Sequence, residues 1–403
     1  MRISTQSFYD QSMASMGSQQ TGLLRIQQQI GSMTKILTPS DDPLGATRAL
    51  AASQSIALND QYSTSRAQAT RTLGLEDNAL QSVTTLLQNV KGLIVQAGNG
   101  TLTDVDRASI ATSLQSNYDQ LLNLANSDDG NGQFLFAGFR SGSAPFVQSA
   151  SGGIQYVGDQ GQQLLQVDVS RQMAGSDDGR SIFQTAQGGA GYVTTSSAAN
   201  TGTGVYGATS VIDATNADFG KSFSISFTSA TTYTVTNSDT PPVVTTGTYT
   251  AGTPIKFGGL QITLTGDPAA GDSFNASTAQ NANPDMFGAL KDLIGALKTP
   301  VDNGTPAAKA QLLNSLSTAN VKLSNSLDNV LTVRSSVGSR MQELDTLNTN
   351  GDTRNLSDKS YLSDIQDLDY TSAITELYQR QMALQATQQT FVQIRKISLL
   401  NYL

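Results

Sequence analysis

Apolar residues recur every seven positions in four stretches of this sequence, two in its first quarter and two in its last. An apolar repeat that averages 3.5 residues keeps one seam of a helix facing a partner helix. The repeats therefore predict that both arms of the chain build one elongated helical bundle or coiled coil. They are Met16, Leu23, Ile30 and Leu37; Leu73, Leu80, Leu87 and Ile94; Leu316, Leu323, Val330, Val337 and Leu344; and Tyr370, Leu377, Leu384 and Phe391.

The segment between the helical arms has a different composition. From about Ser141 to Gln280 it is rich in Gly, Thr and Ser, and it carries few charges. Apolar residues alternate with Ser in short runs such as Phe223 to Phe227, which is the period of a strand with one buried face. The chain is therefore predicted to belong to the α+β class, with a β-rich outer insertion between two helical arms. One domain or two small ones would both fit the insertion.

Loop signals divide the chain further. Asp42 and Pro43 are suited to the start of a helix. The turn-forming run 128–132 precedes the alternating residues Phe134 and Phe136, so a short β-hairpin is predicted there. The predicted domains are a terminal coiled-coil assembly domain of residues 1–42 and 365–403, a helical bundle with the hairpin of residues 43–142 and 283–364, and a β-rich outer domain of residues 143–282.

The two outermost repeats lie on helices with unusual polar faces. Gln fills these faces, and the only charged residues in the first forty positions are Arg2, Asp10, Arg25 and Lys35. A solvated helix face normally carries many charges, so we expect the terminal helices to order when they pack among copies of this chain. The first and last repeats are the predicted assembly interface, and the two inner repeats are the predicted core of the helical bundle. A plain monomeric coiled coil is the alternative.

The composition argues against catalysis. The chain has no Cys and no His, and so lacks a thiolate nucleophile and the commonest general base and metal ligand. Gly202 to Gly207 matches a dinucleotide fingerprint, but no helical pattern follows it. The run 128–132 suggests a calcium loop, but the twelfth position from Asp129 is Arg140 instead of Glu. We predict a non-enzymatic protein with no catalytic, metal or cofactor-binding residues and no cofactor, although a Ser–Lys pair is compatible with the sequence.

Charge and hydropathy limit the partners and the location. The net charge is −8 and Lys and Arg are not clustered, which argues against nucleic acid as a partner. No apolar run reaches the ~18 residues of a transmembrane helix, so membrane insertion is not expected. The N-terminal stretch lacks the apolar core of a secretory signal. We therefore expect any export to proceed without a cleaved signal peptide.

Several separate motifs resemble those of the flagellar hook-associated protein 3 family, and they occur in the family's order. Met1 to Thr5 looks like the family's opening, and Pro39 to Ala46 is similar to a turn found there and, in altered form, in flagellins. Phe134 to Phe139 resembles the exit from the helical core into the outer domain. Gly266 to Phe274 looks like an outer-domain segment, and Ser398 to Leu403 is also similar to the family. The resemblance covers both helical arms.

This resemblance implies a flagellin-like fold and a structural role in the bacterial flagellum. The protein would form a ring of its own copies that joins the hook, through hook-associated protein 1, to the flagellin filament. It would be extracellular after unfolded export by the flagellar apparatus. A cytoplasmic export chaperone would bind the C-terminal arm as an amphipathic helix in a groove. The expected chaperone-binding residues are Leu377, Leu384, Phe391 and Ile394.

Other functions are also compatible with the sequence. One is flagellin or another filament subunit, although a flagellin would be expected to end in Arg and this sequence ends in Leu403. Another is an extracellular adhesin or tip protein with a helical stalk and a β ligand-binding domain. An exposed aromatic cluster of Tyr233, Tyr249 and Phe257 would support it. A glycan-acting enzyme would need a carboxylate pair in a cleft, and the acidic residues of the insertion are few and scattered.

Overall fold

The structure is a computed structural model that describes residues 5–150, 152–189, 191–239 and 241–400. For residues 5, 6, 8 and 394–400 it describes the backbone alone. The side chain of Ile394, which we expected to contact a chaperone, therefore lies outside the described residues. The same holds for residues 1–4 and 401–403 of the terminal motifs.

Helices occupy both arms of the chain and strands lie between them. The predicted α+β class, with a β-rich insertion between helical arms, is therefore confirmed. The helices are α1 (Thr5–Ser32), α2 (Pro43–Ala97), α3 (Asp104–Ala125), α4 (Gly179–Phe183), α5 (Met286–Lys298), α6 (Pro306–Gln366) and α7 (Tyr370–Leu400). The strands are β1 (Phe146–Gln148), β2 (Ile154–Tyr156), β3 (Leu164–Asp168), β4 (Arg171–Ala174), β5 (Tyr192–Ser196), β6 (Val205–Tyr206), β7 (Ser210–Val211), β8 (Phe223–Ser229), β9 (Thr232–Asn237), β10 (Val244–Thr248), β11 (Pro254–Phe257), β12 (Leu260–Thr265) and β13 (Ser273–Thr278).

Backbone packing divides the chain into two compact units. The first contains residues 1–64 and 346–403, and the second contains residues 65–345. Helices α2 and α6 each contribute to both units. The second unit holds the inner helical repeats together with the β-rich insertion, so the finer boundaries at 142 and 283 remain a prediction.

Short polar side chains cap the N-termini of α2 and α3. The N–H of Gly45 donates to Asp42 Oδ1 at 2.9 Å, so Asp42 caps α2 as predicted. Thr103 and Asp106 form a reciprocal capping box at the start of α3. Such side chains accept bonds from N–H groups that have no partner within the helix. These caps therefore stabilise the first turns of α2 and α3, which begin at Pro43 and Asp104.

The helical core of the second unit meets the insertion at a cluster of phenylalanines. The rings of Phe146 and Phe183 lie 5.4 Å apart, and so do those of Phe146 and Phe287. All three side chains are buried. Phe146 opens the first strand of the insertion, whereas Phe287 belongs to α5. The insertion and the helices therefore share one apolar core.

The insertion contains a five-stranded antiparallel sheet with the strand order β10-β9-β8-β13-β5. Phe223, Ile225 and Phe227 of β8 face its core, as their alternation with Ser predicts. A second sheet has the order β11-β12-β6. Gly258 and Gly259 join β11 to β12 in a two-residue turn with φ of 49° and 77°. Both φ values are positive, which glycine adopts readily in such hairpins.

The predicted hairpin strand at Phe134 to Phe139 is wrong. This segment forms turns, and its pairing is a single bridge between Asp128 and Phe134. Gly138 has φ of 65°, a left-handed backbone conformation that a strand does not contain. Phe136 is buried and Phe139 is 63% exposed. The spacing of the aromatic residues therefore reflects a compact turn that inserts Phe136 into the core.

Candidate assembly interface

Helices α1 and α7 pair antiparallel in the first unit. At one end of the pair, the rings of Tyr9 and Phe391 lie 5.1 Å apart. At the other end, the N–H of Lys35 donates to the carbonyl of Gln366 at 2.7 Å. The sevenfold apolar repeats explain this pairing, because each repeat keeps one seam turned toward the neighbouring helix.

The pairing covers the predicted interface residues only in part. Tyr370 is 54% exposed. The other seven side chains are half-buried: Met16, Leu23, Ile30, Leu37, Leu377, Leu384 and Phe391. A pair of helices has a single contact seam, whereas a larger bundle surrounds such side chains on several sides. Apolar surface therefore remains along the seam for further helices to cover.

Both terminal helices carry additional apolar side chains that their pairing leaves exposed. On α7, Tyr378 and Met382 are 60% and 62% exposed; on α1, Met13 is 48% exposed. Tyr378 and Met382 are four residues apart and so share a helix face. We call Tyr378 and Met382 the second apolar face. Exposed apolar patches mark interaction sites, and sequence analysis missed this one because its residues fall outside the sevenfold repeats.

Charges beside these apolar faces are paired locally. Arg380 donates from Nε to Glu376 Oε1 at 2.8 Å, one helical turn away. Arg25 Nη2 lies 3.1 Å from Asp41 Oδ1. The Thr38 N–H, together with Arg25 and the Leu37 N–H, holds the pKa of Asp41 below its usual range. The remaining polar surface is mainly Gln, which a neighbouring helix covers at less cost than it would an unpaired charge.

The two inner repeats lie in the second unit, where all nine of their residues are buried. Leu80, Leu87, Ile94, Leu316, Leu323 and Val330 belong to one apolar cluster. Since these side chains are covered within the chain, they offer no surface to another copy. The outer and inner repeats thus differ in exposure, although their spacing in the sequence is the same.

The aromatic residues that would support an adhesin lie in the core of the insertion. Tyr249 and Phe257 are 7% and 8% exposed, and Tyr233 packs against the same cluster. The Tyr249 hydroxyl donates to the carbonyl of Gly266 at 2.7 Å. These three rings stabilise the sheets and do not form the exposed cluster that would have supported an adhesin.

Helix α6 holds the insertion through a polar anchor that sequence analysis missed. Asn314 is buried; its Oδ1 accepts from the Tyr206 N–H at 3.1 Å, and its Nδ2 donates to the Gly204 carbonyl at 2.9 Å. The Tyr206 hydroxyl donates to the Asn314 carbonyl at 2.7 Å, and burial raises its pKa to about 12. The segment around Gly204, which matches a dinucleotide fingerprint in sequence, therefore packs against the side of α6.

A buried carboxyl group also lies outside the predicted sites. Glu76 of α2 is fully buried, and its Oε2 accepts from the Asp177 N–H at 3.3 Å. Arg340 of α6 forms an ion pair with the Asp177 carboxylate. Burial raises the pKa of Glu76 well above its usual range, and the negative charge of Asp177 raises it further. One guanidinium thus faces two carboxyl groups, which favours a proton on the more buried one.

The described residues contain neither a cluster of metal ligands nor a candidate membrane-spanning helix. No three acidic side chains among the described residues are grouped so as to hold a metal ion. None of the described helices combines the length and the apolarity that spanning a membrane requires.

Known proteins share both the sequence and the fold. The bacterial flagellin N-terminal helical region matches residues 3–141, and the flagellin C-terminal helical region matches residues 322–403. The flagellar hook-associated protein 3 of Salmonella typhimurium is 33% identical over 399 residues, which cover 99% of this chain and 98% of that protein. This chain belongs to the flagellar hook-associated protein 3 family. The membership inferred from separate motifs is confirmed.

Crystal structures of related proteins agree with this membership in hook-associated protein 3. FlgL of Xanthomonas campestris is 30% identical, with a TM-score of 0.68 over 77% of this chain and 99% of that one. The flagellar junction protein FlgL of Legionella pneumophila is 25% identical, with a TM-score of 0.66 over 79% of this chain and 99% of that one. The relatives are structural flagellar proteins, which supports the prediction of a non-enzymatic protein.

Proposed function

We propose that this member of the hook-associated protein 3 family is a structural junction protein of the bacterial flagellum, joining the hook to the flagellin filament. The observation that carries the proposal is the similarity over nearly the whole chain to a flagellar hook-associated protein 3. A protein named as a flagellar junction protein has the same fold. Flagellin-like helical regions in both arms suit a subunit whose neighbours on one side are flagellins.

The proposed mechanism is assembly through the terminal helices. The α1–α7 pair leaves its seam half-buried and its second apolar face exposed. Packing among copies would cover both, and each fully buried Leu-sized side chain contributes about 1.5–3 kcal/mol. The copies would form a ring, with hook-associated protein 1 on one side and flagellin on the other.

We propose that the same apolar surface of α7 binds an export chaperone before assembly. Leu377, Leu384 and Phe391 lie on the seam toward α1 and are half-buried there. A chaperone groove that received this stripe would compete with α1. Binding would keep the C-terminal arm from associating in the cytoplasm, before export to the flagellum.

Loss of the chain in its own bacterium tests the function. Cells that lack it are expected to carry hooks without attached filaments and to stop swimming, because flagellin would have no junction on which to assemble. Electron microscopy of isolated hooks and a swimming assay measure this, with the restored chain as the control. Filaments of normal number on the deletion strain would refute the junction role.

Charges on the second apolar face are expected to block assembly. In the double variant Tyr378→Asp, Met382→Asp, both side chains already face solvent, so the free chain should stay folded while its attachment to hooks falls at least tenfold. Burying either new carboxylate against a neighbour carries a large desolvation cost. Filament counts measure attachment, and far-UV circular dichroism checks the fold.

The matched control is Gln388→Glu, an added charge at another exposed position of the same helix. We expect it to attach normally, since position 388 is neither three nor four residues from Tyr378 or Met382 and so does not lie on the second apolar face. Normal attachment of the double variant, or equal losses in both variants, would argue against this face as the contact.

A further inference from the structure

The sequence contains four Asn–Gly pairs, and the structure places them in four different settings. They are Asn99–Gly100, Asn131–Gly132, Asn303–Gly304 and Asn350–Gly351. An Asn side chain loses its amide nitrogen when the backbone nitrogen of the next residue attacks Cγ, and a following Gly has no Cβ to hinder this attack. All four Asn residues are exposed. The settings therefore differ in the bonding of the attacking N–H and of the side-chain carbonyl.

Asn99 lies in the short loop between α2 and α3, and its side-chain carbonyl accepts two hydrogen bonds. The N–H of Thr101 donates to Asn99 Oδ1 at 3.2 Å, and Thr101 Oγ1 donates to the same oxygen at 3.0 Å. Such donors polarise a carbonyl and stabilise the negative charge that forms on its oxygen during attack. No described residue accepts a hydrogen bond from the Gly100 N–H. The attacking nitrogen is therefore available beside a polarised carbonyl.

The other three pairs lack one feature or the other. At position 131 the side-chain nitrogen donates to the Asp129 carboxylate at 3.2 Å, which makes the attached carbonyl less electrophilic. The Gly304 N–H donates to the Val301 carbonyl at 3.2 Å. The Asn350–Gly351 pair lies inside α6, where each N–H is bonded to the carbonyl four residues earlier. Of the four described pairs, only the one in the α2–α3 loop combines a free nitrogen with a polarised carbonyl.

We propose that Asn99 is a site of spontaneous deamidation, at which Thr101 activates the side-chain carbonyl. The Gly100 nitrogen loses its proton to hydroxide and bonds to Asn99 Cγ. The Cγ–Nδ2 bond then breaks, and Nδ2 takes up a proton from water and leaves as ammonia. A second water opens the resulting succinimide ring at one of its two carbonyls. One opening leaves Asp at position 99, and the other leaves isoaspartate, whose backbone runs through Cγ.

The isoaspartate product changes the turn that joins α2 to α3. It adds one carbon to the backbone shortly before Leu102, whose carbonyl accepts from Arg107 Nη1 at 2.6 Å. Arg107 is buried and also pairs with Asp302 in the loop between α5 and α6. Deamidation therefore adds a negative charge and extra chain length beside a turn that a buried arginine holds in place. This chemistry does not depend on the junction role.

Peptide mapping by mass spectrometry measures deamidation at all four pairs in one sample of the full chain, kept folded at pH 8.5. The same chain in concentrated urea gives the rate of each pair without structure, and these four rates should be similar because Gly follows Asn in each. In the folded chain, we expect Asn99 to react at least tenfold faster than Asn131, Asn303 or Asn350, and no slower than it does in urea. The other three pairs are internal controls.

Replacing Thr101 tests whether the carbonyl is activated. Thr101→Val keeps the shape and the backbone N–H but removes the Oγ1 donor, so deamidation at Asn99 is expected to slow about threefold to tenfold, the effect of one exposed hydrogen bond. Thr101→Ser keeps the donor and should react at the original rate, and Asn131 should react equally in both variants. Equal Asn99 rates in the Val and Ser variants, or a folded-state Asn99 rate no faster than that of Asn303, would overturn the proposal.

Discussion

Replacing Asn314 by Leu is expected to lower the free energy of unfolding by about 2–5 kcal/mol. The substitution leaves the Tyr206 N–H and the Gly204 carbonyl without their partner on α6. Asn314 and Tyr206 are both buried, and each buried polar group that loses its partner costs about 1–3 kcal/mol. Leu has the same branched shape as Asn, so the loss of stability comes mainly from the missing hydrogen bonds and not from a cavity.

Urea unfolding followed by far-UV circular dichroism measures this loss. The matched control is Asn78→Leu, which makes the same change at an exposed position of α2 and should shift stability by less than about 0.5 kcal/mol. If the two variants unfolded at the same urea concentration, Asn314 would not anchor the insertion. Faster proteolysis of the insertion in Asn314→Leu alone would locate the weakened contact.

The helical parts of this fold could be predicted because burial leaves a periodic signal. Leu80 on α2 and Leu323 on α6 each belong to a sevenfold apolar repeat, and the spacing of such a repeat by itself indicates a buried seam. The same spacing in the terminal helices predicted a seam for α1 and α7. It could not show that one partner helix would cover only half of that seam, because exposure depends on how many helices surround it.

The polar anchor on α6 could not be predicted in the same way. Gln311, Asn314 and Thr318 look like solvent-facing residues of an amphipathic helix, and their partners are backbone groups more than a hundred residues earlier in the chain. Backbone groups have no signature in sequence. The one available signal was the spacing of these residues, which places them near one helix face.

The hairpin error has a related cause. Alternating aromatic residues at 134 and 136 match a strand, but a turn with Gly138 at positive φ overrides the pattern. The chain bends back there: the Phe139 N–H donates to Asp159 Oδ1 at 2.9 Å. Local alternation is a weak signal when a glycine and a distant carboxylate determine the backbone path.

Glu76→Gln is expected to stabilise the protein increasingly as the pH rises above about 5. Burial raises the pKa of Glu76 well above the ordinary 4.5, so the native state holds its proton after the unfolded chain has released it. Native stability from this group is complete below pH 4.5 and falls as the pH rises toward the native pKa. Gln resembles the protonated carboxyl group but does not titrate, so the stability of the Glu76→Gln variant lacks this decline.

The difference in unfolding free energy between Glu76→Gln and the unaltered chain isolates this effect from other carboxyl groups. It should be near zero at pH 4.5 and grow by about 1.4 kcal/mol per pH unit until the native pKa is passed. Urea titrations at pH 4.5, 5.5, 6.5 and 7.5 would follow it.

Glu343→Gln is the matched control, because Glu343 pairs with Arg171 at 2.6 Å on an exposed surface of the same unit. An exposed pair contributes at most about 1 kcal/mol, and its loss should not produce a difference that grows with pH in the stabilising direction. A flat difference for Glu76→Gln would mean that Glu76 is ionised in the native state, with Arg340 shared between both carboxylates. A growing difference would mean that Glu76 keeps its proton in the native state, where its Oε2 accepts from the Asp177 N–H and joins α2 to the insertion.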